Sequence, residues 1–424
     1  MSAARSLKAD VIFYLAGTGI YAASQWLLVV IYARAIGPEA VGLFAIATAI
    51  SAPIMVLSQM SMRQVLIADV GRRFDFGEYV KARWVLSVAA TAAIVLGAIA
   101  LDYRGAALLT ITAFGVGRAF ESVSDIFYAR CQAHGGLRRV SLYTGVRGVV
   151  TLAAAGSTML ATTDMLLSAT AFAVASMICQ MMVRTIESRH IGDDARILPK
   201  RMLSSALLLH AAPLAISQFL ISLTAYSPRL TLQHFGGDQL AGQAGAIEYF
   251  LSLGLLGVAA LGQAASAPLA QAYHRGDRRG FVSLVTMTAA TSAALGVGMS
   301  LAAQLVGRQA ILALYGPSFG EAAAAAGMII AGGSFSYVAS ALGYAVSATG
   351  QYDKLVGWSA LVLAVTLTGS YLAIGRFSLD GLALTLAISG TLNILVYIHL
   401  LRRACSRMRK SSGDQDHGPG VAHG

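Results

Sequence analysis

Charge is scarce in this chain. Of its 424 residues only 12% are Asp, Glu, Lys or Arg, against about a quarter in an ordinary soluble domain. So few charges cannot clothe a water-exposed surface, which excludes a soluble globular protein. Cysteine is scarce as well. Cys131, Cys179 and Cys405 form an odd set without metal-ligand spacing, so free thiols are expected rather than a disulfide framework. No Walker motif, no metal-ligating cluster and no nucleophile–base constellation is present. ATP hydrolysis, a metal site and a catalytic residue are therefore not expected, and neither is a cofactor.

What fills the chain is apolar, with 56% hydrophobic residues and a mean hydropathy of +0.67. A helical membrane span needs roughly 20 mainly apolar residues. Twelve such stretches can be read, at about 11–33, 41–66, 84–101, 106–128, 140–161, 165–186, 203–227, 241–270, 281–305, 321–347, 356–374 and 381–401. Each must be helical, because an isolated run in lipid has no other way to satisfy its backbone. Arg5 and Lys8 precede the first stretch without a small-residue cleavage site, so it reads as a retained span.

Basic residues outnumber acidic ones, 31 to 20. Their distribution argues for membrane topology rather than a nucleic-acid partner. Of the 31 Lys and Arg, 23 fall at the termini and in the loops after even-numbered spans, and five in the alternate loops. The remaining three, Arg63, Arg118 and Arg147, lie within spans. By the positive-inside rule both termini face the cytoplasm.

The longest polar connection, "RTIESRHIGDDARILPKR" (184–201), divides the chain into halves. Residues 1–186 are expected to form one six-helix bundle, 187–202 a cytoplasmic linker, 203–401 a second bundle and 402–424 a disordered cytoplasmic tail. The expected fold is thus an all-α polytopic membrane protein, with two parallel six-helix bundles around a central cavity. A sequence echo supports the repeat. Gly37 and Gly42 precede Gly237 and Gly242 by 200 residues, each pair at the turn into its half's second span.

The stretch "GRAFESVSDIFYARC" (117–131) carries Arg118, Glu121 and Asp125 inside a span. At about 100° per residue these side chains and Ser122 share one face. A charge at mid-bilayer costs several kcal/mol, so that face should meet protein or a watery cavity. Arg118 lies about 18 Å from the cytoplasmic end of its helix at 1.5 Å per residue, and Arg63 and Arg147 lie at comparable depths. Two readings stand. In one, Arg118 pairs with Glu121, and Arg63 or Arg147 with Asp125, merely to fix helix packing. In the other, the excess of guanidinium lines a cavity for an anionic head group, since its planar fork suits phosphate and keeps its charge. In the second half His210 and Glu248 are the notable polar residues; with Glu121 and Asp125 they are candidates for orienting arginines or for proton or sodium coupling.

Three stretches resemble the polysaccharide-export, O-antigen flippase type of the multidrug/oligosaccharidyl-lipid/polysaccharide exporter (MOP) superfamily. They are "QWLLVVIYARAIGPEAVGLFAIATAISAPIMVLSQMSMRQV" (25–65), "FDFGEYVKAR" (74–83), and "ESVSDIFYARCQ" (121–132) with "VRG" (146–148). The resemblance covers the first 150 residues well and the remainder by topology alone. It implies a bacterial inner-membrane protein that moves an undecaprenyl-diphosphate-linked sugar repeat to the periplasmic leaflet by alternating access, for O-antigen or exopolysaccharide biosynthesis. Arg63, Arg118 and Arg147 would hold the diphosphate and sugar. Its partners would be the lipid-linked oligosaccharide, the bilayer, and a polysaccharide polymerase with its export machinery. Arg138 and Arg139 are read as topogenic. The alternatives are an ion-coupled drug or cation antiporter of the same superfamily, which would prefer an acidic cavity, and a membrane polysaccharide polymerase or ligase, which would need a large outer loop.

Overall fold

The computed structural model describes residues 2–68, 74–191, 205–350 and 352–415. Among them there is no strand. The helices are α1 (Ser2–Ala35), α2 (Pro38–Gln59), α3 (Met62–Ala68), α4 (Phe76–Ala100), α5 (Gly105–Ala133), α6 (Leu137–Thr162), α7 (Met165–Ile191), α8 (Ser205–His274), α9 (Arg278–Tyr315), α10 (Gly320–Ala348) and α11 (Tyr352–Gln415).

Against twelve expected spans, nine helical segments of the described residues are long and apolar enough to cross a bilayer. Two of these are too long for one crossing. Leu214–His274 has 61 residues, about 90 Å of helix against a hydrocarbon core of roughly 30 Å. It bends at Gly237 (φ 67°), and α11 bends at Ser378 (φ 54°). Helix α6 is 26 residues long but more polar, with Arg138, Arg139 and Arg147 along it.

By internal packing the chain divides into two units. Unit 1 is Met1–Ala246 with Leu312–Gly320, and unit 2 is Ile247–Ile311 with Glu321–Gly424. The division thus falls inside α8, after Ala246, whereas the sequence places it at the polar connection 187–202. Of that linker, residues 187–191 complete α7, and 192–202 lie outside the described residues. The expected disordered tail is corrected in part. Residues 402–415 continue α11 as helix, because Arg, Met, Lys and Ala are good helix formers and Ala404 and Met408, one turn apart, are both buried. Residues 416–424 lie outside the described set.

What ties the start of α8 into unit 1 is a reciprocal contact. A Cβ on Gly42 would collide with the carbonyl of Asp238, and a Cβ on Gly242 with the carbonyl of Pro38. Since 238 and 242 are 38 and 42 displaced by 200, residue i meets j′ while i′ meets j, the signature of a two-fold relation. Gly37 and Gly237 both hold positive φ (126° and 67°) at the matching turns. The 200-residue echo is therefore the trace of one helix crossing that only glycine permits. Nearby, Arg229 donates from Nη1 to the Ala45 carbonyl (3.2 Å). Tyr103, in the turn between α4 and α5, donates to Asp238; burial and that carboxylate push its phenol above the ordinary range.

In unit 2 the Ala-rich start of α10 packs closely, as small residues allow. Ala322, Ala323, Ala325 and Ala326 are buried, and Gly332 lies against the Ala383 carbonyl.

Candidate functional site

The site is assembled by the helices of unit 1, where α5 packs on α7, α4 and α3 while α6 packs on α1. The second half of α5 is largely buried: Val123, Ile126 and Phe127 face packed neighbours, with at most 4% exposure. Its polar face gathers two groups of charges, one around Glu121 and the other around Asp125.

Around Glu121, Arg118 one turn earlier donates from Nη1 to Oε2 at 2.8 Å and to the Tyr21 hydroxyl at 2.8 Å. The Tyr21 hydroxyl donates to Glu121 Oε1 at 3.1 Å. Gln25, one turn beyond Tyr21 on α1, accepts from Arg118 Nη2 at 3.4 Å. Arg147 approaches from α6, its Nε 3.7 Å from Glu121 Oε1, with its guanidinium 4.6 Å above the Tyr21 ring. That stacking has a local cause. Gly148 lets α6 sit so close to α1 that a Cβ there would lie 2.7 Å from Tyr21 Cα, which brings the neighbouring Arg147 over the ring. One carboxylate thus faces two guanidiniums, and all three side chains are less than a quarter exposed.

Around Asp125, Arg63 pairs through Nη1 with Oδ1 and donates from Nη2 to Gln132 Oε1 at 2.8 Å. Arg63 arrives there because the second span is not continuous. Met60 and Ser61 both take positive φ (47° and 49°), breaking α2 and re-aiming the short α3 against α5. Two adjacent non-glycine residues in that region carry strain of order 1–3 kcal/mol each, so the break is held by its surroundings. Arg83, from α4, lies on the other side. It has 0% exposure, places Nη2 3.7 Å from Asp125 Oδ2 and Nη1 3.5 Å from Ser122 Oγ. Again one carboxylate faces two guanidiniums.

The structure therefore brings together five sequence candidates: Arg63, Arg118, Glu121, Asp125 and Arg147. Arg118 pairs with Glu121 and Arg63 with Asp125, whereas Arg147 turns to Glu121. His210 lies in α8, with its side chain outside those described, and Glu248 is a half-buried residue of unit 2. The hydrogen-bond and ion-pair partners given above come from α1, α3, α4, α5 and α6, and Arg118 also lies over the Phe172 ring of α7, 5.6 Å from its centroid.

Sequence reasoning missed Arg83, which it counted among the topogenic basic residues near the second loop. The signal was present: Arg83 falls in register with Val80, Ser87, Ala90 and Ile94, a helical stripe that is buried throughout. It also missed Tyr21 and Gln25, whose polar groups lie one turn apart on α1. Arg139, topogenic by its loop position, pairs at 3.2 Å with Glu187, which is 1% exposed and also accepts from Tyr143 at 2.8 Å.

Counting Arg63, Arg83, Arg118 and Arg147 against Glu121 and Asp125, the region carries a formal excess of two positive charges. Two buried donors here, Gln25 Nε2 and Arg83 Nε, have no hydrogen-bond partner among the described residues, while Arg83 Nη2 and Arg147 Nε reach their carboxylates only at ion-pair distance, 3.7 Å. Buried donors are almost always satisfied in native proteins, so these two remain able to donate to water or to a polar guest. Among the described residues no group of His, Cys, Asp and Glu is placed to hold a metal ion, and the three cysteines are free.

No protein-family profile matches the chain. The capsular polysaccharide biosynthesis protein CapF of Staphylococcus aureus is 23% identical over 381 residues, covering 89% of this chain and 95% of the relative. A multidrug resistance MATE family transporter of the MOP superfamily, solved in an inward-facing conformation, superposes with a TM-score of 0.71 at 15% identity over 93% of this chain and 96% of that one. An outward-facing conformation of such a transporter gives 0.64 at 14% identity, over 95% and 96%. A MOP-superfamily transporter from Pyrococcus furiosus, described as having a binding pocket of reversed polarity that suggests a different function, gives 0.62 at 13%, over 94% and 95%.

Proposed function

We propose that this chain, which has the fold of the MOP-superfamily transporters, is a flippase for a lipid-linked oligosaccharide of the undecaprenyl-diphosphate class. It would carry the repeat unit from the cytoplasmic to the periplasmic leaflet of a bacterial inner membrane by alternating access. The observation that carries this reading is the excess of buried and half-buried guanidinium over carboxylate on and around α5. A diphosphate offers what those groups lack: anionic oxygens that accept from planar forks. The capsular polysaccharide relative supports the glycan context.

In this reading Glu121 and Asp125 hold their arginines spread and aimed while the site is empty. An arriving diphosphate competes for Arg118, Arg147, Arg63 and Arg83, and the carboxylates keep the binding weak enough for release. The sugars occupy the polar surroundings of Gln25, Gln132 and Gln180. The prenyl tail stays in the hydrocarbon. Either carboxylate, freed of one arginine partner, is a candidate to take a proton or sodium ion that couples the cycle.

The test is complementation of a deletion strain with Arg63→Ala, Arg118→Ala or Arg147→Ala. The flippase reading expects loss of surface glycan and accumulation of the lipid-linked repeat facing the cytoplasm, at normal protein levels. Unimpaired export by all three variants would refute it. A second reading, an ion-coupled drug antiporter, is favoured by the likeness to multidrug MATE structures. It expects drug accumulation to change in the same variants while export of glycan does not.

A further inference from the structure

Unit 2 carries a trough of about 590 Å³ between α9, α10 and α11. That size lies within the roughly 300–1,000 Å³ of small-molecule sites. Its floor is apolar, from Val282, Val285, Leu342, Ile398 and Leu401, and its end carries Arg278 and Arg402 with Ser406 and Cys405. The two arginines share a level because the helices run in opposite directions there. Arg278 opens α9, whereas Arg402 closes the apolar part of α11, and Arg278 sits beside the Cys405 thiol. Moving inward from that end, Val282 and Val285 on α9 descend alongside Leu401 and Ile398 on α11.

The depth profile is that of an amphiphile. The apolar segments Arg278–Tyr315 and Leu355–Ser406 meet their polar flanks at this end, so the guanidiniums stand at head-group level and the floor reaches into hydrocarbon. The trough is open sideways: Val282 is 44% exposed, and Met287 beyond it 57%. Arg275, Arg279 and Arg403, close to the two arginines in the chain, are exposed as well, and the Asp277 carboxylate accepts from the Gly280 amide at the start of α9 (2.9 Å). Basic pockets between membrane helices at head-group level suit anionic lipid heads, whereas a soluble anion would have no use for the apolar floor.

We infer that this trough binds an anionic glycerophospholipid of the surrounding bilayer, its phosphate on Arg278 and Arg402 and one acyl chain along Val282, Val285, Leu342 and Ile398. The site shares no residue with the charges on and around α5 and does not depend on what the protein transports. Such a lipid would fix α9 against the end of α11 at the membrane surface.

The experiment is native mass spectrometry of the full-length protein released from nanodiscs of phosphatidylcholine with a minority of phosphatidylglycerol. The wild type should retain phosphatidylglycerol in excess over its share of the bilayer. Each arginine near a membrane surface is worth about a factor of five, so Arg278→Gln with Arg402→Gln should lower that retention roughly 30-fold. Arg278→Lys with Arg402→Lys should keep most of it. Val285→Trp, which fills the floor and leaves both arginines, should also expel the lipid. Circular dichroism and gel filtration confirm that each variant is folded. Equal retention by the wild type and the double Gln variant, or full retention in Val285→Trp, overturns the assignment. A parallel arm replaces phosphatidylglycerol with undecaprenyl phosphate. Selective retention of the prenyl lipid over phosphatidylglycerol would give the trough to the transported class and overturn the bilayer-lipid occupant.

Discussion

Glu121 is the residue on which the charged face should depend most. Its carboxylate is 2.8 Å from Arg118 and 3.7 Å from Arg147. With an effective dielectric constant of about 20, the gross attractions are about 6 and about 4.5 kcal/mol. Desolvation offsets much of this, so the net value of the pairs is far smaller, but the cost of removing only the carboxylate is not. Glu121→Gln keeps the shape and one acceptor for Tyr21 and leaves two guanidiniums facing each other without a counter-charge. Breaking a buried pair from one side costs about 3–5 kcal/mol. Thermal unfolding in detergent, followed by fluorescence-detected gel filtration, should show a clear drop in melting temperature for Glu121→Gln. The double variant Glu121→Gln/Arg118→Gln should recover part of it, because it removes one of the stranded charges. A coupling of at least about 2 kcal/mol between the two positions is expected, well above the few tenths seen for independent sites. If Glu121→Gln melts within about 0.5 kcal/mol of the wild type, or the two substitutions simply add, then the carboxylate does not hold the arginines and the electrostatic account of this face fails.

Arg83→Met, which keeps the volume of a fully buried side chain, should leave the protein folded and expressed. It should also abolish glycan export in the complementation assay, whereas a purely structural Arg83 would lower protein level and export together. Gly42→Val and Gly242→Val should each destabilise the protein by at least about 1–3 kcal/mol, since each pushes a side chain into a backbone carbonyl. The reciprocal geometry expects similar losses in melting temperature at the two positions, and a loss at one alone would refute the two-fold relation.

Much of this was legible in the sequence because membrane physics leaves few options. An apolar run of 20 residues must be a helix, and a charge inside it must find a partner. The one-faced spacing of Arg118, Glu121, Ser122 and Asp125 therefore predicted a polar stripe on α5, and the stripe is there. What was not legible followed from contacts between distant segments. Arg83 looked like one more topogenic residue because the apolar run of its span starts one residue later, at Trp84. The break at Met60–Ser61 carries no glycine and no proline at the turn itself, so nothing in the local residues announced it. Arg139 and Glu187 are 48 positions apart, and neither reveals the other.

Composition and hydropathy by themselves settled the helical membrane class, and the period of 200 between Gly37–Gly42 and Gly237–Gly242 marked a repeat. These are properties of single segments in lipid, where the backbone must satisfy itself before any partner arrives. The pairing of Arg118 with Glu121, one turn on, was readable in the sequence, whereas the choice between Arg63 and Arg147 for Asp125 was decided only by the packed helices. Arg147 faces Glu121 rather than Asp125 because Gly148 draws α6 onto α1, and Arg63 reaches Asp125 because α2 breaks. A guanidinium on a long flexible stem can serve any carboxylate within its reach, and only the approach of the backbones, set by glycines and turns far apart in the chain, determines which one that is.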